Sequence, residues 1–157
     1  MKKSVLYIVR GAIIAALYVV LVIVSQPLAF GQVQFRVSEA LTVLPVLFSE
    51  AIPGLFIGCL ISNIIGSPFG IWDIALGSFA TLAAGVCTYK LRPYPLAAGL
   101  PPVIFNAVAV GFILYIGAGL PFAPSLLWVG FGQAVVIYAL GMPLLLLLKK
   151  TVKISAD

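Results

Sequence analysis

The chain has 157 residues, of which 63% are hydrophobic and only 8% charged, and its net charge is +5. Soluble domains carry about 45–50% apolar and about 25% charged residues, so a single water-soluble core is excluded. At about 20 apolar residues per membrane helix the chain holds six spans with about 37 residues to spare, which leaves no room for a second domain.

A first apolar run, residues 5–24, follows Lys2 and Lys3. It is long enough to cross the hydrocarbon and is expected to be a retained span, because a secretory signal has a shorter apolar stretch and a small-residue cleavage site. The polar and aromatic segment 25–36 cannot sit in lipid and reads as a loop. A short second helix is expected over residues 37–48, closed by Ser49-Glu50-Ala51-Ile52-Pro53, where serine suits a cap and proline a first turn. A third span covers residues 51–65, and Gly66-Ser67-Pro68-Phe69-Gly70 breaks it. Asp73 opens a fourth span that ends near Lys90 and Arg92, a fifth covers residues 96–116, and a sixth residues 126–148.

With the N-terminus inside, Lys2, Lys3, Arg10, Lys90, Arg92, Lys149, Lys150 and Lys153 all fall on the cytoplasmic side and Arg36 alone falls outside. The expected fold is therefore an all-α integral membrane protein, one domain over residues 1–157, with six transmembrane helices and both termini cytoplasmic. The basic balance then reflects cytoplasmic loops rather than nucleic acid. The loops at 25–38, 66–72 and 117–125 share the outer face. No internal repeat is visible, which argues against a transporter that rocks about its own midplane. No segment matches the phosphate-cradling pattern G-x-x-x-x-G-K-[ST], so energy from ATP would have to come from a partner. Histidine is absent, and Cys59 and Cys87 lie in apolar runs, so no metal site, cofactor or disulfide is expected.

Polar side chains are costly in a bilayer, and each is a candidate for function. Glu39 either pairs with Arg36 one helical turn away or stands at the mouth of an outward cavity, and the two roles are compatible. Asp73 either caps the fourth span or contacts a ligand, and Trp72 is either an interfacial anchor or one wall of a flat-ring site. Asn63 and Asn106 are either interhelical glue or ligand contacts. Gln133 lies too deep in the sixth span to reach water from a lipid-facing position, so it faces the bundle or a cavity. Gln32 and Gln34 read as loop residues, Tyr115 and Trp128 as interfacial anchors, and Glu50 as a cytoplasmic helix-start residue. Gly54, Gly58, Ser62 and Gly66 form a smooth stripe suited to close helix packing. Gly11, Ala12, Ala15 and Ala16 offer a similar face on the first span, either for internal packing or for docking another membrane protein.

The stretch Gln34-Phe35-Arg36-Val37-Ser38-Glu39-Ala40-Leu41-Thr42, then Ala51-Ile52-Pro53-Gly54-Leu55-Phe56-Ile57-Gly58-Cys59, then Gly70-Ile71-Trp72-Asp73-Ile74, resembles the QueT family. These are substrate-binding S components of energy-coupling factor (ECF) transporters, assigned to queuosine precursors. The resemblance covers nearly the whole chain. It implies a bacterial cell-membrane protein that captures a 7-deazaguanine at the outer face beneath the loop after the first span. It also implies a transmembrane coupling protein, EcfT, driven by two ATPase subunits, with the family's A-x-x-x-A docking motif at Ala12 and Ala16. A 7-deazaguanine has N–H donors along its guanine edge, a carbonyl, a flat ring and, in some members, a cationic aminomethyl arm. The complements offered are Glu39 or Asp73 for the donors or the cation, Asn63, Asn106 and Gln133 for the carbonyl and ring nitrogens, Gln34 and Arg36 on the covering loop, and Trp72, Phe35 or Tyr115 for stacking. The rivals are an S component for another vitamin and a non-transporting membrane assembly subunit. An enzyme is disfavoured, because no nucleophile and base pair stands out.

Overall fold

The computed structural model describes residues 3–29 and 34–154, the side chains of residues 27, 28 and 152–154 excepted, and every regular element among them is helical. Lys2, Phe30 and Gln32, the side chain of Lys153 and the centre of the 25–36 loop lie outside the described residues. Helix α1 is Lys3–Val24, followed by a single turn at Gln26–Ala29. Helix α2 is a 3-10 helix, Val37–Val46, and α3 is Ala51–Gly66. Helix α4 spans residues 71–90, α5 is Ala97–Ala118 and α6 spans residues 122–154. Among the described residues three helices are long and apolar enough to cross a membrane, Lys3–Val24, Ala97–Ala118 and Phe122–Thr151, against the six spans expected.

The boundaries depart from the expected ones where local chemistry intervenes. Ser49 does not cap α3; its hydroxyl turns to Glu50 Oε2 at 3.5 Å, and no side chain caps that helix start. Helix α4 begins two residues before Asp73, which falls instead in a π-helical segment, Asp73–Gly77. A second π segment, Ile137–Gly141, interrupts α6, which starts at Phe122, four residues earlier than expected. Such one-residue expansions re-aim side chains and recur at functional sites.

Helix α2 is the shortest of the six and the most enclosed, with every residue from Ser38 to Val46 buried. Its three residues per turn stack side chains at i and i+3 into three ridges. The ridge of Leu41 and Leu44 enters the cluster formed by Ile14, Tyr18 and Val22 of α1 and Leu55 and Cys59 of α3. The ridge of Val43 and Val46 enters a second cluster with Ala98, Ile137, Met142 and Leu145. The ridge of Glu39 and Thr42 lies between them, Thr42 Oγ1 donating to the Glu39 carbonyl at 2.6 Å. Pro45 has no N–H to give to a carbonyl one α-turn back, and the β-branched residues around it lower helix propensity further. A tight, short helix wedged between two apolar clusters is the outcome.

Helices α1 and α3 run parallel and almost touch. A methyl group placed on Gly54 would lie 2.6 Å from the Gly11 carbonyl oxygen, and one on Gly58 would lie 2.8 Å from Tyr18 Cβ and 3.0 Å from the Ala15 carbonyl oxygen. This is the close backbone approach that small residues allow. At one end of the seam Arg10 pairs with Glu50 at 3.1 Å and lies 5.5 Å above the Phe48 ring.

Candidate functional site

Four helices each send one polar side chain to a common buried point. Tyr18 of α1, fully buried, donates its hydroxyl to Glu39 Oε1 at 2.5 Å. Asn106 of α5 donates to Glu39 Oε2 at 2.9 Å and to Gln133 Oε1 of α6 at 3.4 Å. The chain Tyr18–Glu39–Asn106–Gln133 thus ties α1, α2, α5 and α6 together, and all four side chains are at most 4% exposed. Each carboxylate oxygen of Glu39 already has one donor and retains lone pairs for more, so the group is held in position and still able to accept.

A second polar group lies where α3 meets α4. Asp73 Oδ2 accepts the Ser67 hydroxyl, which in turn accepts the Phe69 N–H at 3.0 Å, and Asn63 Nδ2 donates to the Asp73 carbonyl at 2.8 Å. Gly77, one turn along, leaves the space that these groups occupy: a methyl there would lie 3.1 Å from Asn63 Nδ2 and 3.9 Å from Asp73 Oδ1. Arg36 connects the two groups electrically, within range of both Glu39 and Asp73, while its Nε donates to the Ala29 carbonyl at 3.0 Å.

Several buried polar atoms have no hydrogen-bond partner among the described residues: both amide atoms of Gln34, Ser38 Oγ, Asn63 Oδ1, Asp73 Oδ1 and Ser78 Oγ. Leaving such an atom unpaired costs about 1–3 kcal/mol. Gln34 stands out twice. Expected as a loop residue and, from the family resemblance, as a ligand contact on the covering loop, it is 1% exposed and holds a left-handed backbone, φ 48°, unusual for a residue with a side chain.

The structure therefore brings Gln34, Arg36, Glu39, Asn63, Asp73, Asn106 and Gln133 into the interior, and it does not bring Trp72 and Tyr115 with them. Those two rings are 49% and 54% exposed, which suits the interfacial belt rather than a stacking wall. Phe35, between Gln34 and Arg36 and half-buried, keeps its place beside the site. Tyr18 is the residue that sequence reasoning missed. Its signal was present: Gly11, Ala15, Tyr18 and Val22 follow the 4, 3, 4 spacing of one helix face, and a phenol in mid-span needs a partner for its hydroxyl.

The small residues of α1 divide between two tasks. Gly11 and Ala15 press on α3, as the Gly54 and Gly58 approaches show, whereas Ala12 and Ala16 are exposed. All four line an apolar groove of about 490 Å³ along the α1–α3 seam, with Pro53 and Ile57 on its far side.

The family model described as QueT transporter matches residues 8–150. The queuosine precursor transporter QueT of Lactococcus lactis subsp. cremoris (strain MG1363) is 41% identical over 85 residues, which are 52% of this chain and 49% of that protein. The aligned part thus spans about half the length of that relative. No solved structure matches.

Proposed function

The chain belongs to the QueT transporter family, and from that premise we propose that it is the substrate-binding S component of an ECF importer for a 7-deazaguanine precursor of queuosine. The observation that carries this reading is the buried polar set itself. Glu39 is held by Tyr18 and Asn106 with acceptor capacity to spare, and unpaired polar atoms of Gln34, Asn63 and Asp73 accompany it. Such a mixture of fixed acceptors and amides suits a flat heterocycle with N–H donors and one carbonyl.

In this mechanism both termini are cytoplasmic, and the site opens to the outer face of a bacterial cell membrane. The segment 25–36, which carries Gln34, Phe35 and Arg36, covers the bound ring. Glu39 accepts ring N–H donors, and Asn106 and Gln133 serve the carbonyl and ring nitrogens. The loaded protein docks through Ala12 and Ala16, which line the groove beside α3, on the transmembrane coupling protein EcfT. Two ATPase subunits then drive a tilt of the whole bundle that delivers the ligand inward. Tilting needs no through-pore, which suits a polar set buried where four helices meet.

The test is calorimetry of the purified chain, without partners, against a 7-deazaguanine. Saturable one-to-one binding is expected, and absence of heat from every deazaguanine tried would end the substrate reading.

A further inference from the structure

Glu39 rises from a short 3-10 helix, and a chain of rotatable bonds separates its carboxylate from the backbone. A carboxylate left loose would have to be ordered each time a ligand bound, at a cost in affinity. Two donors hold it instead, one on each oxygen, and they differ in kind. Asn106 Nδ2 is shared, since it also reaches Gln133 Oε1 at 3.4 Å. Tyr18 has a single hydroxyl proton, and Glu39 Oε1 takes it at 2.5 Å.

The Tyr18 hydroxyl cannot follow a wandering carboxylate. It ends a stiff ring with few torsions of its own, and that ring is fully buried in the cluster of Ile14, Val22, Leu41, Leu44, Leu55 and Cys59. The root of the side chain is confined as well: a methyl group on Gly58 of α3 would lie 2.8 Å from Tyr18 Cβ. Leu41 and Leu44 belong to the helix that carries Glu39, so the ring packs against the same element whose carboxylate its hydroxyl meets. One tyrosine thus locates both α2 and the far end of the Glu39 side chain, and the orientation of that carboxylate is set from α1.

We propose that Tyr18 is a positioning residue for ligand capture: its hydroxyl fixes Glu39 in the orientation that receives the N–H donors of the ligand, and it acts on the ligand only through that carboxylate. This rests on the reading of Glu39 as an acceptor for a 7-deazaguanine.

The probe is 7-aminomethyl-7-deazaguanine, titrated by calorimetry into the purified full-length chain in nanodiscs. Tyr18→Phe keeps the ring and removes only the hydroxyl. It should weaken binding about 3- to 10-fold, the cost of ordering one long side chain on binding. Made on top of Glu39→Gln, the same change should alter affinity by less than about 2-fold, because residues that act through one contact are not additive. An equal loss in both backgrounds is what a direct ligand contact or a merely structural ring would give, and it overturns the inference, as does an unchanged affinity for Tyr18→Phe alone. A further measurement needs no variant to fold. Among the described residues Tyr18 is the tyrosine that is fully buried and whose hydroxyl meets a carboxylate. In a chain carrying isotope-labelled tyrosine, the infrared phenol C–O band should therefore shift when the probe binds, and a band that stays in place overturns the inference too. Absence of binding to the unaltered chain is a different result: it overturns the deazaguanine reading, and this inference with it.

Discussion

Around Glu39 the bundle gathers long polar side chains from four helices, whereas along the seam between α1 and α3 it dispenses with side chains and lets backbones meet. The two regions share α1: Tyr18 reaches Glu39 from the helix whose Gly11 and Ala15 lie against Gly54 and Gly58. Close approach at the seam therefore sets where the Tyr18 hydroxyl arrives, and one helix contributes both to the buried polar set and to the groove. Chemistry at the first region depends on which atoms are present. At the second it depends on which are absent, so added bulk and removed charge should break them separately.

The largest effect should come from adding bulk where the seam faces outward. Ala12→Leu combined with Ala16→Leu fills the groove without entering the bundle, since both residues are exposed. On the proposed importer mechanism, uptake in cells that supply a coupling protein and ATPases should fall to background, while ligand affinity of the isolated chain stays within about 2-fold, as surface changes away from a site leave it. Loss of binding as well would show that the groove and the polar site are not separable.

Removing charge at the interior comes next. Glu39→Gln keeps the shape but offers an N–H to one of the two donors now facing the carboxylate, either the Tyr18 hydroxyl or Asn106 Nδ2. A hydrogen bond to a charged group contributes about 1.5–3 kcal/mol, so the dissociation constant should rise about 10- to 150-fold in calorimetry. An unchanged constant would make Glu39 a structural tie only.

Smaller still is the effect of one methyl group on the inner side of the seam. Gly54→Ala places Cβ 2.6 Å from a backbone oxygen that cannot turn aside, whereas Gly85→Ala meets only Ile52 at 3.6 Å. Overpacking costs about 1–3 kcal/mol, so Gly54→Ala should lower the thermal midpoint in detergent and Gly85→Ala should leave it nearly unchanged. Equal midpoints would mean that the two helices separate at little cost.

The two regions differ in how far the sequence announced them. The glycine stripe of α3 and the small residues of α1 repeat at intervals of four, a local pattern legible on one helix at a time. Residues 39, 106 and 133 carry no such pattern; each could be singled out as a polar group in an apolar run, but which of them meet Tyr18 and one another is decided by packing among distant segments. The helices were legible for the same local reason, and their ends were not. The π segments at Asp73–Gly77 and Ile137–Gly141 are single-residue adjustments to tertiary packing that leave no trace in periodicity. Gln34 was legible only through the family resemblance: a polar residue in a polar loop looks ordinary by itself until the fold buries it.

The smallest expected effect concerns the rings that chemistry alone had offered as stacking walls. A stacked aromatic pair contributes about 0.5–1.5 kcal/mol beyond its buried area, so a true wall residue changed to leucine should weaken binding several-fold. Trp72 adjoins Asp73 in sequence, but one residue along a helix turns the side chain by about 100°, and the structure leaves Trp72 49% exposed while Asp73 is 1% exposed. Tyr115 lies on the outer side of α5, nine residues beyond Asn106 and 54% exposed. Trp72→Leu and Tyr115→Leu should therefore alter affinity by less than about 2-fold, within the range of surface substitutions. Phe35→Leu is the sharper comparison, because that ring is half-buried between Gln34 and Arg36. If calorimetry showed Trp72→Leu weakening the ligand as much as Phe35→Leu does, the polar interior would have to extend to the outer surface of α4, and its separation from the lipid-facing rings would be lost.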